Sequence, residues 1–94
     1  MTKLKIEWTS HFKKDYKKAI KRNLDIKLLN EVIFQLSNGQ ILDKKYHDHP
    51  LSGNWQNFRE CHIQPDWLLI YKIENGKLIL TLSRTGTHSD FLKK

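Results

Sequence analysis

Residues 67–84, WLLIYKIENGKLILTLSR, decide the fold of this chain. The first part, residues 67–73, is apolar at nearly every position, which is typical of a central strand that is covered on both faces. Residues 78–84 follow as the next strand, and Asn75-Gly76 between them is a strong signal for a two-residue hairpin turn. The segment therefore predicts two antiparallel strands in the middle of a sheet.

Further strands are predicted on both sides of this hairpin. Residues 57–63 form a strand, and the turn Gln64-Pro65-Asp66 connects it to the hairpin. Near the N-terminus, residues 3–8 alternate between apolar and polar side chains, which indicates a half-buried strand. Its inward-facing residues are Leu4, Ile6 and Trp8.

Two helices are predicted after the first strand. Residues 10–22 have apolar side chains at helical spacing behind the N-cap candidate Thr9, with a strongly basic outer face. Residues 25–37 form the second helix, and Asn38-Gly39 suits its C-terminal end. Its inward-facing residues are Leu28, Leu29, Val32, Ile33 and Leu36.

The remaining segments complete an α+β domain. Residues 39–55 show no sustained period, so they form either a functional loop or a surface lid pinned by its apolar residues. Thr87-His88-Ser89-Asp90 resembles a capping box that opens a short terminal helix. The predicted order is β-α-α-β-β-β-α, with two helices packed on one face of a mostly antiparallel sheet. Its length of 94 residues predicts a single domain over residues 1–94.

Composition narrows the class of protein and of partner. The chain has 17 Lys and Arg against 10 Asp and Glu, and the resulting charge of +7 favours nucleic acid or an acidic protein as partner. A single cysteine, Cys61, excludes an internal disulfide and a cysteine-based zinc site. No apolar run approaches the roughly 18 residues of a membrane span, and the N-terminus does not resemble a signal peptide. We therefore expect a cytoplasmic protein with no membrane partner.

Strand register predicts a cluster of polar side chains. With two-residue turns at 65–66 and 75–76, Trp67 lies opposite Arg84, and His62 lies opposite Leu69. His62, Trp67 and Arg84 would then meet at one end of one sheet face. Asp66 would lie in the turn beside them, and His88 follows Arg84 by four residues.

Histidines near this sheet end favour acid–base chemistry on RNA. Two histidines can remove the 2′-hydroxyl proton and protonate the leaving 5′-oxygen, while an arginine stabilises the phosphate charge. The plainer alternative is a set of ordinary polar residues at loop and strand ends. His47-Asp48-His49 also allows a metal site, although this pattern is a weak signal without a cysteine ligand.

Basic and aromatic side chains suggest where RNA would bind. The lysines of residues 13–22 suit phosphate contacts, and Trp55 and Trp67 suit stacking on bases. A solvated helix face and buried aromatic anchors are the alternatives.

The motifs from residue 46 to residue 88 closely resemble the YafQ branch of the RelE-like toxins, which belong to type II toxin–antitoxin systems. The resemblance extends over most of the chain, and the combined motif is far more specific than any single part. The matching residues are Asp48-His49-Pro50-Leu51, Gly53, Trp55, Arg59, His62, Pro65-Asp66-Trp67, Ile70-Tyr71-Lys72 and Arg84-Thr85-Gly86-Thr87-His88.

This resemblance implies the RelE-like fold and a toxin that cleaves messenger RNA in the ribosomal A site without a metal or other cofactor. It implies a cognate antitoxin as partner, operator DNA bound by the toxin–antitoxin complex, and mRNA on the 70S ribosome as substrate. The family's catalytic residues fall on His49, His62, Asp66 and His88. Its supporting RNA- or phosphate-binding positions fall on Arg84, Trp67 and Arg59.

Two other functions compete with this interpretation. The first is a non-catalytic module of the same fold that binds RNA or a partner protein. The second is a ribonuclease that acts without the ribosome.

Overall fold

The structure, a computed structural model, describes residues 3–74 and 76–92, except for the side chains of His88 and Leu92. The predicted α+β architecture is confirmed, with one short strand added inside the segment 39–55. In chain order the elements are β1 (Lys5–Trp8), α1 (Ser10–Lys21), α2 (Ile26–Ser37), β2 (His49–Pro50), β3 (Arg59–Gln64), β4 (Trp67–Glu74), β5 (Ile79–Gly86) and α3 (His88–Leu92).

A five-stranded mixed sheet forms the centre of the molecule. The strand order is β1-β5-β4-β3-β2, in which β1 runs parallel to β5 and all other neighbours are antiparallel. β4 is the central strand, and its residues from Trp67 to Tyr71 are buried on both sides of the sheet. The position predicted for the apolar segment 67–73 is therefore confirmed.

Helices α1 and α2 cover one face of this sheet. α1 begins after Thr9, whose hydroxyl accepts a hydrogen bond from the Phe12 N–H at 3.0 Å, as expected of an N-cap. Both helices bury their apolar stripe against Leu69, Tyr71 and other core residues of the strands. The buried apolar helix residues are Phe12, Ala19, Leu29, Val32, Ile33 and Leu36.

Three apolar side chains that were predicted to face inward are exposed. Ile6 and Trp8 on β1 are each 39% exposed, and Leu28 on α2 is 38% exposed. β1 is an edge strand, and Trp8 packs sideways on the rings of Phe12 and Tyr16 instead of entering the core. Alternation of apolar residues therefore overestimated the burial of this strand.

The hairpin between β4 and β5 is longer than predicted. Glu74 and Ile79 form the last pair, so four residues connect the strands instead of two. Leu78 belongs to this connection and has a positive φ of 56°. Asn75, half of the predicted turn, lies outside the described residues.

Two β-bulges change the register at the other end of the sheet. One lies between His62 and Gln64, so that His62 is opposite Leu68 and not Leu69. The other separates the pairs Ile70–Arg84 and Tyr71–Leu82, so Arg84 is not opposite Trp67. Because each bulge adds one residue to one strand and the β4–β5 connection is two residues longer than predicted, the predicted cluster of His62, Trp67 and Arg84 does not form.

The segment 39–55 and the C-terminal helix α3 complete the fold. Within 39–55, β2 pairs with β3 at the sheet edge, between short 3-10 turns at Lys44–Tyr46 and Gly53–Trp55. The predicted capping box is confirmed, because the Thr87 N–H donates to Asp90 Oδ2 and the Asp90 N–H donates to Thr87 Oγ1. None of the helices in the described part of the chain could cross a membrane.

Candidate active site

The site lies on the sheet face opposite α1 and α2. His49, Glu60, Ile70 and Arg84 lie opposite one another in a row across β2, β3, β4 and β5. Directly opposed residues share a face, and Glu60 alternates with the core residue Cys61. The adjacent row holds His62, Leu68 and Gly86. We call the side of the sheet that carries these seven residues the histidine face, in which Leu68, Ile70 and Gly86 are buried.

His49 is held between two hydrogen-bond acceptors. Its Nδ1 lies 2.7 Å from the His47 carbonyl oxygen, and its Nε2 lies 3.3 Å from Glu60 Oε1. Whether Nδ1 donates or accepts depends on the ring tautomer, and Nε2 lies within ion-pair distance of the carboxylate. The His47 carbonyl and Glu60 therefore orient the His49 ring.

Glu60 is a functional candidate that the sequence analysis missed. Its side chain is largely buried and contacts His49 across the β2–β3 pair. The signal was present in the alternation of β3, where Cys61 and Ile63 point into the core and Glu60 and His62 point away from it. Because Glu60 lies before the predicted His62 by one strand repeat, the two side chains share a face.

A second imidazole lies next to His49. The His62 ring centroid is 6.4 Å from that of His49 and 5.6 Å from that of His47. His62 Nδ1 lies 3.3 Å from the Pro65 carbonyl oxygen in the turn between β3 and β4. The structure thus brings together His49 and His62 as predicted, with His47 beside them.

Asp66 and His88 lie at the end of the sheet where His62 is found. Asp66 is exposed in the turn after Pro65, the residue whose carbonyl meets His62. His88 begins α3, two residues after Gly86 in the row of His62, and its side chain lies outside the described residues. Backbone topology therefore brings these predicted residues to one end of the histidine face.

Arg84 is oriented by a carboxylate from α1. Its Nε donates to Asp15 Oδ2 at 2.7 Å and its Nη2 donates to Asp15 Oδ1 at 3.2 Å. This hydrogen-bonded pair raises the pKa of the Arg84 guanidinium, which stays charged. The guanidinium also lies 5.3 Å from the centre of the Phe91 ring. Asp15 is a residue of the site that the sequence analysis did not identify.

Arg59 and Trp67, the other two residues predicted to contact RNA, both make contacts within the protein. The Arg59 guanidinium faces Asp48, with Nη2 at 3.1 Å from Oδ2, although part of the side chain remains exposed. Trp67 is 2% exposed, and its indole N–H donates to the Thr85 hydroxyl at 2.9 Å. A base cannot stack on Trp67 in this position, because the ring is enclosed by the core.

The alternative of a metal site at His47-Asp48-His49 lacks converging ligands. The Asp48 carboxylate faces Arg59 and Tyr71, whereas the His49 ring faces Glu60. Among the side chains that the structure describes, no three His, Cys, Asp or Glu residues are grouped so as to hold a metal ion. Cys61 lies in the core, and burial raises the pKa of its thiol, which therefore stays protonated. The side chain acts as a small apolar core residue.

The outer face of α1 forms the basic surface expected from the sequence. Lys18 and Arg22 also contact Asp90 on α3, and all basic side chains of this surface are exposed. They are Lys13, Lys14, Lys17, Lys18, Lys21 and the adjoining Arg22.

Comparison with known proteins agrees with this geometry. The family described as "Bacterial toxin of type II toxin-antitoxin system, YafQ" matches residues 4–93. The mRNA interferase toxin YafQ of Escherichia coli (strain K12) is 41% identical over 85 residues, which cover 89% of this chain and 90% of that protein.

Solved structures share the fold over almost their full length. YafQ in the E. coli DinJ-YafQ toxin-antitoxin complex superposes with a TM-score of 0.88 at 38% identity, covering 97% of this chain and 99% of that one. A metal-bound toxin from Helicobacter pylori superposes with a TM-score of 0.89 at 45% identity, covering 95% and 99%.

Proposed function

The chain belongs to the YafQ family of bacterial toxins of type II toxin–antitoxin systems, and we propose that it is an endoribonuclease that cleaves messenger RNA in the A site of the 70S ribosome. The observation that carries the proposal is the pair of imidazoles, His49 and His62, on one sheet face whose row ends at Arg84. The relative from E. coli is named an mRNA interferase, which supports the same activity here.

The chemistry is an attack by the RNA's own 2′-hydroxyl group. A base removes the 2′-hydroxyl proton, the oxygen forms a bond to phosphorus, and the bond from phosphorus to the 5′-oxygen breaks. An acid protonates the leaving 5′-oxygen. The products are a 2′,3′-cyclic phosphate and a 5′-hydroxyl, and no metal-activated water is required.

We propose His49 as the acid, because His47 and Glu60 orient its ring on the face that also carries His62. His62 and His88, with Asp66 in the adjoining turn, then supply the base and orient it. Arg84 stabilises the charge that develops on the phosphate, because Asp15 engages Nε and Nη2 and Nη1 takes no part in that pair.

The partners follow from the family and from the surface charge. The E. coli relative forms a complex with its antitoxin DinJ. We expect a cognate antitoxin with acidic segments to cover the basic surface of this protein, in the cytoplasm, and the complex to bind operator DNA. The lysines of α1 would contact ribosomal or messenger RNA when the antitoxin is absent.

Cleavage assays with naked RNA and with translating ribosomes test the activity. Cleavage on ribosomes alone supports the proposal. Cleavage of naked RNA would instead show a ribosome-independent ribonuclease, and no cleavage of either would leave a binding module of the same fold. A messenger with one 2′-deoxy nucleotide at the cut position should resist, and cleavage of it at the normal rate would contradict the mechanism.

Histidine variants test the assignment of the site. His88→Ala and His49→Ala should each lower the rate by roughly 10²–10⁴-fold. His11→Ala is the matched control, because His11 is exposed on α1, on the helix side of the sheet. His47→Asn, which tolerates the positive φ of 49° at this position, should change the rate much less.

Metal dependence is tested on the toxin alone. The protein is treated with EDTA, the chelator is removed by gel filtration, and the toxin is then added to ribosomes in their normal magnesium buffer. Full activity is expected. Because an H. pylori relative has been solved with bound metal, loss of activity that added copper or zinc restores would overturn the metal-independent mechanism.

A further inference from the structure

The short strand that carries His49 is attached to the sheet by few contacts of its own. β2 has only two residues, which pair with Glu60 and Arg59 on β3, and the following Leu51 N–H adds one hydrogen bond to the Phe58 carbonyl oxygen at 2.9 Å. His47, on its N-terminal side, has a left-handed backbone conformation, so the chain turns sharply just before the strand. Backbone pairing at a sheet edge therefore does little to fix the position of His49.

The side chain of Asp48 supplies an additional attachment. Its Oδ1 accepts a hydrogen bond from the Tyr71 hydroxyl at 2.5 Å, and its Oδ2 accepts one from Arg59 Nη2 at 3.1 Å. Arg59 and Tyr71 lie opposite each other on β3 and β4, on the face that α1 and α2 cover. The Asp48 side chain thus contacts Tyr71 on the central strand β4, while its neighbour His49 lies on the opposite face of the sheet.

The Tyr71 end of this attachment is rigid. Tyr71 is 1% exposed in the middle of the core. Burial and the adjacent Asp48 carboxylate raise the pKa of the Tyr71 phenol, so the hydroxyl stays protonated and donates to Asp48. The Asp48 hydrogen bond also raises the pKa of the Arg59 guanidinium, which stays charged.

We propose that Asp48, Arg59 and Tyr71 are positioning residues for His49, and that Arg59 serves the site through Asp48 instead of through RNA. The inference rests on the proposed cleavage activity for its kinetic consequence only. Without the attachment, β2 would lose its fixed position relative to Glu60, and the contact between His49 and Glu60 would loosen. Misplacement of about 1 Å in a catalytic group is enough to lower a rate strongly.

The test is Tyr71→Phe in the full-length protein, which removes one hydroxyl and keeps the buried ring. The expected result is a fall in kcat of roughly tenfold to a hundredfold with an unchanged KM for programmed ribosomes. Tyr16→Phe is the matched control, because it also removes one hydroxyl that bonds another element, Asn30 on α2, far from β2 in the chain. Tyr16→Phe should retain full kcat.

A spectroscopic readout makes the test independent of cleavage. In imidazole ¹H–¹⁵N spectra, Tyr71→Phe should shift or broaden the His49 ring signals and leave those of His11 in place. Unchanged His49 signals with unchanged kcat would overturn the proposal. If the wild-type protein cleaves nothing, the proposed function fails, yet the His49 signals still decide the positioning role.

A second variant tests the proposal if Tyr71→Phe does not fold. Asp48→Asn keeps the size of the side chain but weakens both contacts, and it should reproduce the spectral change at His49. Combining it with Tyr71→Phe should add little, since both substitutions remove the same attachment. Additive losses in the double variant would show that the two residues act separately and would contradict the proposal.

Discussion

Arg84 on β5 and Asp15 on α1 form a bidentate pair that crosses from the sheet to the helix layer. Asp15 Oδ2 also accepts the Thr85 N–H at 3.1 Å, so one carboxylate fixes both the guanidinium and the backbone beside it. Both side chains are mostly buried. A residue of the basic helix therefore controls the orientation of the arginine at the end of the histidine face.

Replacing Asp15 should affect stability and activity together. Asp15→Ala leaves the guanidinium and the Thr85 N–H without their acceptor, which should cost about 1–3 kcal/mol of unfolding free energy. Cleavage should also slow, since Arg84 is no longer oriented toward phosphate. Urea unfolding and single-turnover cleavage measure the two effects. Arg84→Lys should also slow cleavage, because an ammonium group cannot reproduce the bidentate geometry of the guanidinium. A fully active lysine variant would contradict this role of Arg84.

The capping residue Asp90 should make stability depend on acid pH. Partial burial alone would raise the pKa of its carboxyl, but the Thr87 N–H, Arg22 and Lys18 lower it to about 2. A folded-state pKa below the unfolded value means that the stabilisation is present above about pH 4 and is lost as the pH falls toward 2.

The ionised Asp90 carboxylate contributes roughly 2 kcal/mol to the free energy of unfolding. Urea unfolding between pH 2 and pH 6 should show a steeper loss of stability in acid for the wild type than for Asp90→Asn. Parallel curves for the two proteins would show that folding does not lower the pKa of the Asp90 carboxyl.

Gly86 should not tolerate a side chain. Its φ is +155°, and a Cβ atom there would lie 2.7 Å from Asp90 Oδ2, the atom that caps α3 through the Thr87 N–H. Gly86→Ala should therefore destabilise the protein by about 1–3 kcal/mol and displace the start of α3, where His88 lies. Thermal unfolding and cleavage activity should both fall, and an unchanged melting temperature would contradict the close approach.

The core strands should be sensitive to loss of volume. Leu69 and Leu80 are fully buried on β4 and β5, as the sequence predicted. Replacing either with Ala should cost about 2–5 kcal/mol, which is a large share of the stability of a small domain. Ile41→Ala is the matched control, because Ile41 is 97% exposed. Equal unfolding midpoints for Leu69→Ala and Ile41→Ala would show that the strand assignment is wrong.

The basic surface of α1 should speed association with the antitoxin. Opposite charges attract over roughly 10 Å at 0.1 M salt, so the association rate should fall as salt rises. Stopped-flow measurements at several salt concentrations test this expectation. Reversing the charge of Lys13 and Lys17 should lower the rate and flatten its salt dependence, whereas a rate that is independent of salt in the wild type would count against electrostatic steering.

Sequence by itself determined the local elements of this protein, because their signals are carried by residues close together in the chain. The apolar segment 67–73 identified the central strand, Thr9 identified the start of α1, and Thr87 with Asp90 identified the capping box of α3. The family resemblance also placed His49 and His62 in one site, and their ring centroids lie 6.4 Å apart on neighbouring strands.

Only the tertiary structure decided how these elements meet. Two bulges shift the pairing of β3, β4 and β5 by one residue each, and nothing in an alternating pattern encodes an extra residue. Together with the longer β4–β5 connection, these bulges place Arg84 opposite Ile70 instead of Trp67, whose indole lies in the core. The partners of Arg84 and Tyr71 are Asp15 and Asp48, which lie 69 and 23 residues away in the chain. Such contacts depend on the packing of distant segments, and local sequence patterns do not specify that packing.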